Sequence, residues 1–77
     1  MTQPRTLADM VAAEVRAHLA RRQFTGAGLA AALGKSEMYV SRRLRGDVPF
    51  DLIDIEQAAQ YLGVAVADLM PAAERAA

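Results

Sequence analysis

The chain has no cysteine and no tryptophan, and its aromatic side chains are two tyrosines and two phenylalanines. Without thiols, neither a disulfide framework nor a thiolate-held metal is open to these 77 residues. With so few rings, the core must be built from Leu, Val, Ile and Met. No apolar run approaches the roughly 20 residues that a membrane-spanning helix needs. The N-terminus lacks the basic-then-apolar layout of a secretory signal, so the expected location is the cytoplasm. No segment repeats, none is of low complexity, and none alternates polar and apolar residues at the period of a strand. Net charge is absent too, since nine cations balance nine anions.

That zero conceals a division. Residues 1–46 carry Arg5, Arg16, Arg21, Arg22, Lys35, Arg42, Arg43 and Arg45 against Asp9, Glu14 and Glu37, a surplus of five positive charges. Residues 47–77 carry Arg75 against Asp47, Asp51, Asp54, Glu56, Asp68 and Glu74, a surplus of five negative ones. A basic footprint on one side is what a polyanion requires of a partner, although short chains also segregate charge by chance.

Helical signals fill the chain between residues 6 and 70. Thr6 caps a first helix, with Asp9 three residues later, and Leu7, Val11, Val15 and Leu19 form its apolar stripe. Arg21 and Arg22 suit its negative end. Thr25 caps a short second helix that carries Leu29, Ala30 and Leu33 and stops at Gly34. Ser36 caps a third, which runs to about Arg45 and ends at Gly46. Asp51 caps a fourth, on which Leu52, Ile55, Ala59 and Leu62 share a face and which Gly63 ends. Val64, Val66, Leu69 and Met70 mark a short fifth helix before Pro71. The expected organisation is a flexible arm over residues 1–5, one all-α domain over 6–70 and a tail over 71–77.

The informative unit is residues 26–45, GAGLAAALGKSEMYVSRRLR. Two short helices meet at a tight turn, and the second begins with a capping serine and carries three arginines. Such a unit lays one helix across a DNA backbone and offers the other to the major groove. Phe24-Thr25, Leu29-Ala30, Leu33-Gly34, Ser36, Val40-Ser41-Arg42, Arg45-Gly46, Leu62-Gly63-Val64 and Asp68-Leu69 resemble the phage repressor/Cro (XRE-like) helix-turn-helix family. The resemblance implies a five-helix, lambda-repressor-like domain with its helix-turn-helix at the second and third helices. It implies a sequence-specific regulator of transcription whose partner is a double-stranded DNA operator, in a bacterial cell or phage-infected host. Three positions depart from the family pattern. Lys35 and Arg43 stand where apolar residues are usual, and Gly26 stands where a polar phosphate contact, commonly Gln, is usual.

At about 100° per residue, Val40 and Leu44 of the third helix point together into the body. Met38, Ser41, Arg42 and Arg45 lie opposite, and Glu37 projects from the first turn. Arg42 can hydrogen-bond guanine in a bidentate manner, Met38 can lie on a thymine methyl, Glu37 can accept from the cytosine amino group, and Ser41 can meet a base edge. Thr25, Lys35, Ser36, Arg43 and Arg45 are placed for phosphates. Tyr39 either reaches a phosphate with its hydroxyl or packs.

His18 stands without a second ligand at metal spacing, and Glu14 and Asp9 form no catalytic pair. No enzyme, metal, cofactor or small-molecule ligand is therefore expected. A homodimer is expected through Val66, Leu69, Met70 and the C-terminal alanines. The alternative reading is an antitoxin or protein-binding adaptor on the same fold, with the acidic half meeting a basic partner.

Overall fold

The computed structural model describes residues 6–71. The expected arm (residues 1–5) and the tail beyond Pro71 lie outside the described residues. The described chain is helical: α1 (Leu7–Arg22), α2 (Gly26–Leu33), α3 (Glu37–Leu44) and α4 (Leu52–Leu62), then a single 3₁₀ turn at Val66–Leu69.

Each helix begins on a side-chain cap. Thr6 Oγ1 accepts from the Asp9 amide at 3.0 Å, Thr25 Oγ1 from Gly28 at 3.0 Å, Ser36 Oγ from Tyr39 at 3.0 Å, and Asp51 Oδ1 from Asp54 at 2.8 Å. Each bond satisfies an amide that has no carbonyl four residues before it, a contribution of about 1 kcal/mol. In α1 and α4 the cap is reciprocal, because Asp9 and Asp54 accept from the amides of Thr6 and Asp51.

The helices also end alike. Phe24, Lys35, Asp47 and Val64 each donate an amide back across six residues, to Leu19, Ala30, Arg42 and Ala59, at 2.9–3.0 Å. That closure needs one residue with positive φ, supplied by Gln23 (57°), Gly34 (67°), Gly46 (85°) and Gly63 (72°). At Gly34 it sets the direction of the three-residue turn between α2 and α3. A side chain with a Cβ would be strained there.

The core takes one position or more from every element. Val15, Leu29, Val40, Ala58 and Leu69 have no exposed surface. Around them lie Val11, Leu19, Leu33, Phe50, Ile55 and Leu62. α2 packs on both α3 and α4, and α1 lies against α3, α4 and the 3₁₀ turn. Arg22 ties α1 to α4, its Nε donating to the Leu62 carbonyl at 2.9 Å.

Two expectations need correction. The fifth helix is one 3₁₀ turn, because only four residues separate the extended Ala65 from the extended Met70, too few for an α-helical ladder. Leu52, expected on the buried face of α4, is 83% exposed. It is the first residue of its helix, and side chains lean toward the helix N-terminus, which carries this one past the core.

Gly28 sits in the first turn of α2 under the Tyr61 hydroxyl, 2.5 Å from where a Cβ would stand. Tyr61 is held by Phe24, ring centroids 5.1 Å apart. Glycine to alanine inside a helix ordinarily stabilises by about 0.5–1 kcal/mol. Here Gly28→Ala lowers the melting temperature. In a Tyr61→Phe background the nearest ring atom is Cζ at 3.6 Å, and the same substitution raises it. Thermal melts of the four chains check this.

Candidate nucleic-acid interface

α3 divides its residues two by two. Glu37 and Met38 face out, Tyr39 and Val40 face in, Ser41 and Arg42 face out or lie half-buried, and Arg43 and Leu44 turn back in. The cause is the 100° step between successive residues, with Val40 anchoring the inner face. Met38 is 70% exposed, an apolar side chain open to solvent on the outer face. The side chains of Glu37 and Arg42 form no hydrogen bond or ion pair with the described residues.

The remaining expected contacts are also at the surface. Thr25, Lys35, Ser36 and Arg45 are exposed. The Thr25 and Ser36 hydroxyls accept from their own helices, which leaves each hydroxyl proton free to donate to an anion. Gly26 offers no side chain to a phosphate. Its amide and that of Ala27 lie in the first turn of α2, where no helical carbonyl precedes them.

Arg45 is held rather than free. Its Nη1 donates to Ser41 Oγ at 2.8 Å, and its Nε and Nη2 reach Asp47 Oδ2 at 3.1 and 3.0 Å. Arg16 of α1 joins it there, a residue the sequence pattern did not single out. Its Nη1 donates to the Leu44 carbonyl at the end of α3. Arg16 and Arg45 line two shallow depressions together, one of about 570 Å³ with Ser41, Leu44 and Asp47, the other of about 280 Å³ with Asp9 and Gly46. No local signal marks Arg16, because it comes to α3 across 28 residues.

Tyr39 and Arg43 are placed inward. The Tyr39 hydroxyl donates to Asp54 Oδ2 of α4 at 2.6 Å. The Arg43 guanidinium lies over the Tyr39 ring, 3.4 Å from its centroid, and Lys35 Nζ is 5.1 Å from the same ring. Arg43 Nη1 donates to the Tyr39 carbonyl at 3.0 Å. Its Nε stands 3.8 Å from Asp54 Oδ2 and is buried without a hydrogen bond. Asp54 itself is 1% exposed. Of the expected phosphate contacts, the Tyr39 hydroxyl and Arg43 Nη1 thus donate within the fold. His18 is half-buried and bridges helices, with Nδ1 3.0 Å from Arg22 Nη1 and Nε2 3.3 Å from the Asp68 carbonyl. Among the described residues no group of three or more His, Asp or Glu is arranged to hold a metal. No described helix is long and apolar enough to cross a membrane.

Fold and surface together define a helix-turn-helix protein of the repressor/Cro kind. The chain belongs to the BetR domain family, which it matches over residues 5–77. No curated protein matches it. Among solved structures it is similar to the clp gene regulator ClgR from C. glutamicum, at 27% identity and a TM-score of 0.80 over 86% of each chain. It is similar to a hypothetical transcription factor, NHTF, from Neisseria, at 29% identity and a TM-score of 0.81 over 99% of this chain and 91% of that one. The restriction-modification controller protein C.AhdI from Aeromonas hydrophila shares the fold, at 22% identity and a TM-score of 0.74 over 83% of this chain and 96% of that one.

The hydrogen bond to Asp54, backed by burial and by the charge of that carboxylate, raises the Tyr39 hydroxyl above its ordinary pKa of 10.0, against the opposing pull of Arg43. The folded chain therefore holds this proton more tightly than the unfolded chain does. The stabilisation is complete below about pH 10 and is lost as the pH rises through the folded value. Denaturant unfolding above pH 10 shows wild-type stability falling more steeply than that of Tyr39→Phe. Parallel declines in the two chains contradict the internal bond.

Proposed function

We propose that the protein is a sequence-specific regulator of transcription that lays α3 in the major groove of double-stranded DNA. The observation that carries this reading is the outer face of α3, where Glu37, Met38 and Arg42 stand exposed on a capped helix joined to α2 by a three-residue turn. Arg42 reads guanine, Met38 a thymine methyl, Glu37 a cytosine amino group, and Ser41 a neighbouring base edge. Thr25, Lys35, Ser36 and Arg45 hold phosphates, with Arg16 added from α1 and the first amides of α2 in place of a side chain at Gly26. The likeness to ClgR, a clp gene regulator at 27% identity, supports a regulatory role.

The finer assignment is a phage or prophage repressor/Cro-like protein that acts in the cytoplasm of a bacterium or infected host. It binds as a homodimer through its C-terminal region, where Val66 is exposed. Leu69 takes no part in that pairing, because it is wholly buried. Duplexes selected from a random library then carry inverted half-sites about 34 Å apart.

The test is a titration of the wild-type chain against selected and random duplexes across salt concentration. Each phosphate-bound cation adds about 0.9 to the slope of log affinity on log salt. Arg42→Ala costs about 1–3 kcal/mol on the selected duplex and relaxes preference at one base position. Arg45→Ala weakens selected and random duplexes alike and lowers the slope by about one. A flat salt response overturns the reading in favour of a protein-binding adaptor.

A further inference from the structure

We infer that Tyr39, Arg43 and Asp54 form a clamp that fixes the roll of α3, so that base selectivity depends on side chains that touch no DNA. The inference rests on the regulator reading above.

α3 has eight residues, and Val40 is the one wholly buried apolar anchor among them. Tyr39 and Leu44 pack on the core in part, and apolar contacts are not directional, so they set the roll of the helix only loosely. A roll of one residue step, about 100°, would take the outward side chains out of the groove. The Tyr39 hydroxyl supplies the missing direction with its 2.6 Å bond to Asp54. Arg43, one turn further along, brings a second group to the same oxygen, Oδ2, at 3.8 Å. Two successive turns of α3 therefore reach one buried carboxylate.

That carboxylate is itself immobile. It belongs to the first turn of α4, and Oδ2 also accepts from the Asp51 amide at 3.3 Å. Its burial makes each partner costly to remove, because a buried charge left unpaired is strongly unfavourable. The cation and the ring reinforce each other, since Arg43 covers the face of Tyr39 and bonds its carbonyl. The Arg43 side chain keeps 18% of its surface exposed, and its charge is aimed at Asp54 and the ring of Tyr39. An arginine on the inner side of α3 thus serves the orientation of the reading helix.

The experiment uses the full chain, with duplexes selected from a random library by the wild type and random duplexes of equal length. The readout is the ratio of selected to random affinity, measured below the melting temperature of each variant. Tyr39→Phe keeps the ring under Arg43 and removes the hydroxyl. It lowers the ratio about tenfold while random-duplex affinity stays at the wild-type value. Asp54→Asn keeps an acceptor oxygen for the Tyr39 hydroxyl and retains the ratio within about threefold, whereas Asp54→Ala, which removes the acceptor, lowers it as Tyr39→Phe does. Arg43→Met keeps the apolar stem. It lowers the ratio and leaves the random affinity and salt slope unchanged. If Arg43→Met instead weakens random DNA and lowers the slope by about one, Arg43 is a phosphate contact and the clamp is overturned. A folded Tyr39→Phe chain with the wild-type ratio overturns the clamp alone. A wild-type chain without selectivity overturns the regulator reading, and the clamp with it.

Discussion

A helix of two turns does not persist by itself in water, where isolated helices shorter than about 12–15 residues are marginal. α3 exists because Val40 is buried with no exposed surface among side chains from the other elements. That contact holds α3 on the body, and the hydrogen bond and ion pair to Asp54 set the way its outward groups face. The turn before it is equally constrained, since Gly34 takes a φ of 67° to close α2 and release the chain toward Ser36. Enlarging Val40, or adding a side chain at Gly34, would act on the interface without touching any group in it.

Charge looks different once the fold is known. Three acids of the negative half, Asp51, Asp54 and Asp68, accept backbone amides at the starts of helical segments. Each stands where the dipole of its helical segment favours a negative charge. The positive half is used differently. Arg16, Arg22 and Arg43 donate to the carbonyls of Leu44, Leu62 and Tyr39. A carbonyl is neutral, and a cation bonded to it keeps its charge. Formal charge therefore cancels over the chain while Arg16, bonded to a neutral carbonyl at the end of α3, keeps a positive charge there.

The four helices were legible in the sequence because their signals are local. Thr6, Thr25, Ser36 and Asp51 cap as residue type predicts, and glycines or Gln23 end the helices where the apolar period stops. The inward Val40 and the outward Glu37, Met38 and Arg42 followed from angle alone, while the inward turn of Tyr39 and Arg43 did not. Nor did three other features. The fifth segment fell short of a helix because four residues of suitable composition cannot complete an α-helical turn and its ladder. Leu52 was misplaced because angular reading ignores the end of a helix, where no neighbour covers the face. The link from Tyr39 to Asp54 was hidden because it crosses 15 residues, and each partner had a sufficient local explanation, packing for one and dipole support for the other.

The three arginines of this region illustrate how little a count of cations says. Side chains on a helix lean toward its N-terminus, over the residue four positions before. Arg43 leans over Tyr39 and finds a ring and a carbonyl. Arg45 leans over Ser41 and finds a hydroxyl. Arg42 leans over Met38, whose side chain has no oxygen to offer, and its guanidinium forms no hydrogen bond with the described residues. An exposed methionine at position 38 therefore does two things. It presents an apolar surface of its own, and it leaves the neighbouring fork of donors free for an acceptor outside the chain. Replacing Met38 with a residue bearing an acceptor, such as Gln or Glu, would occupy Arg42 internally, as Ser41 occupies Arg45.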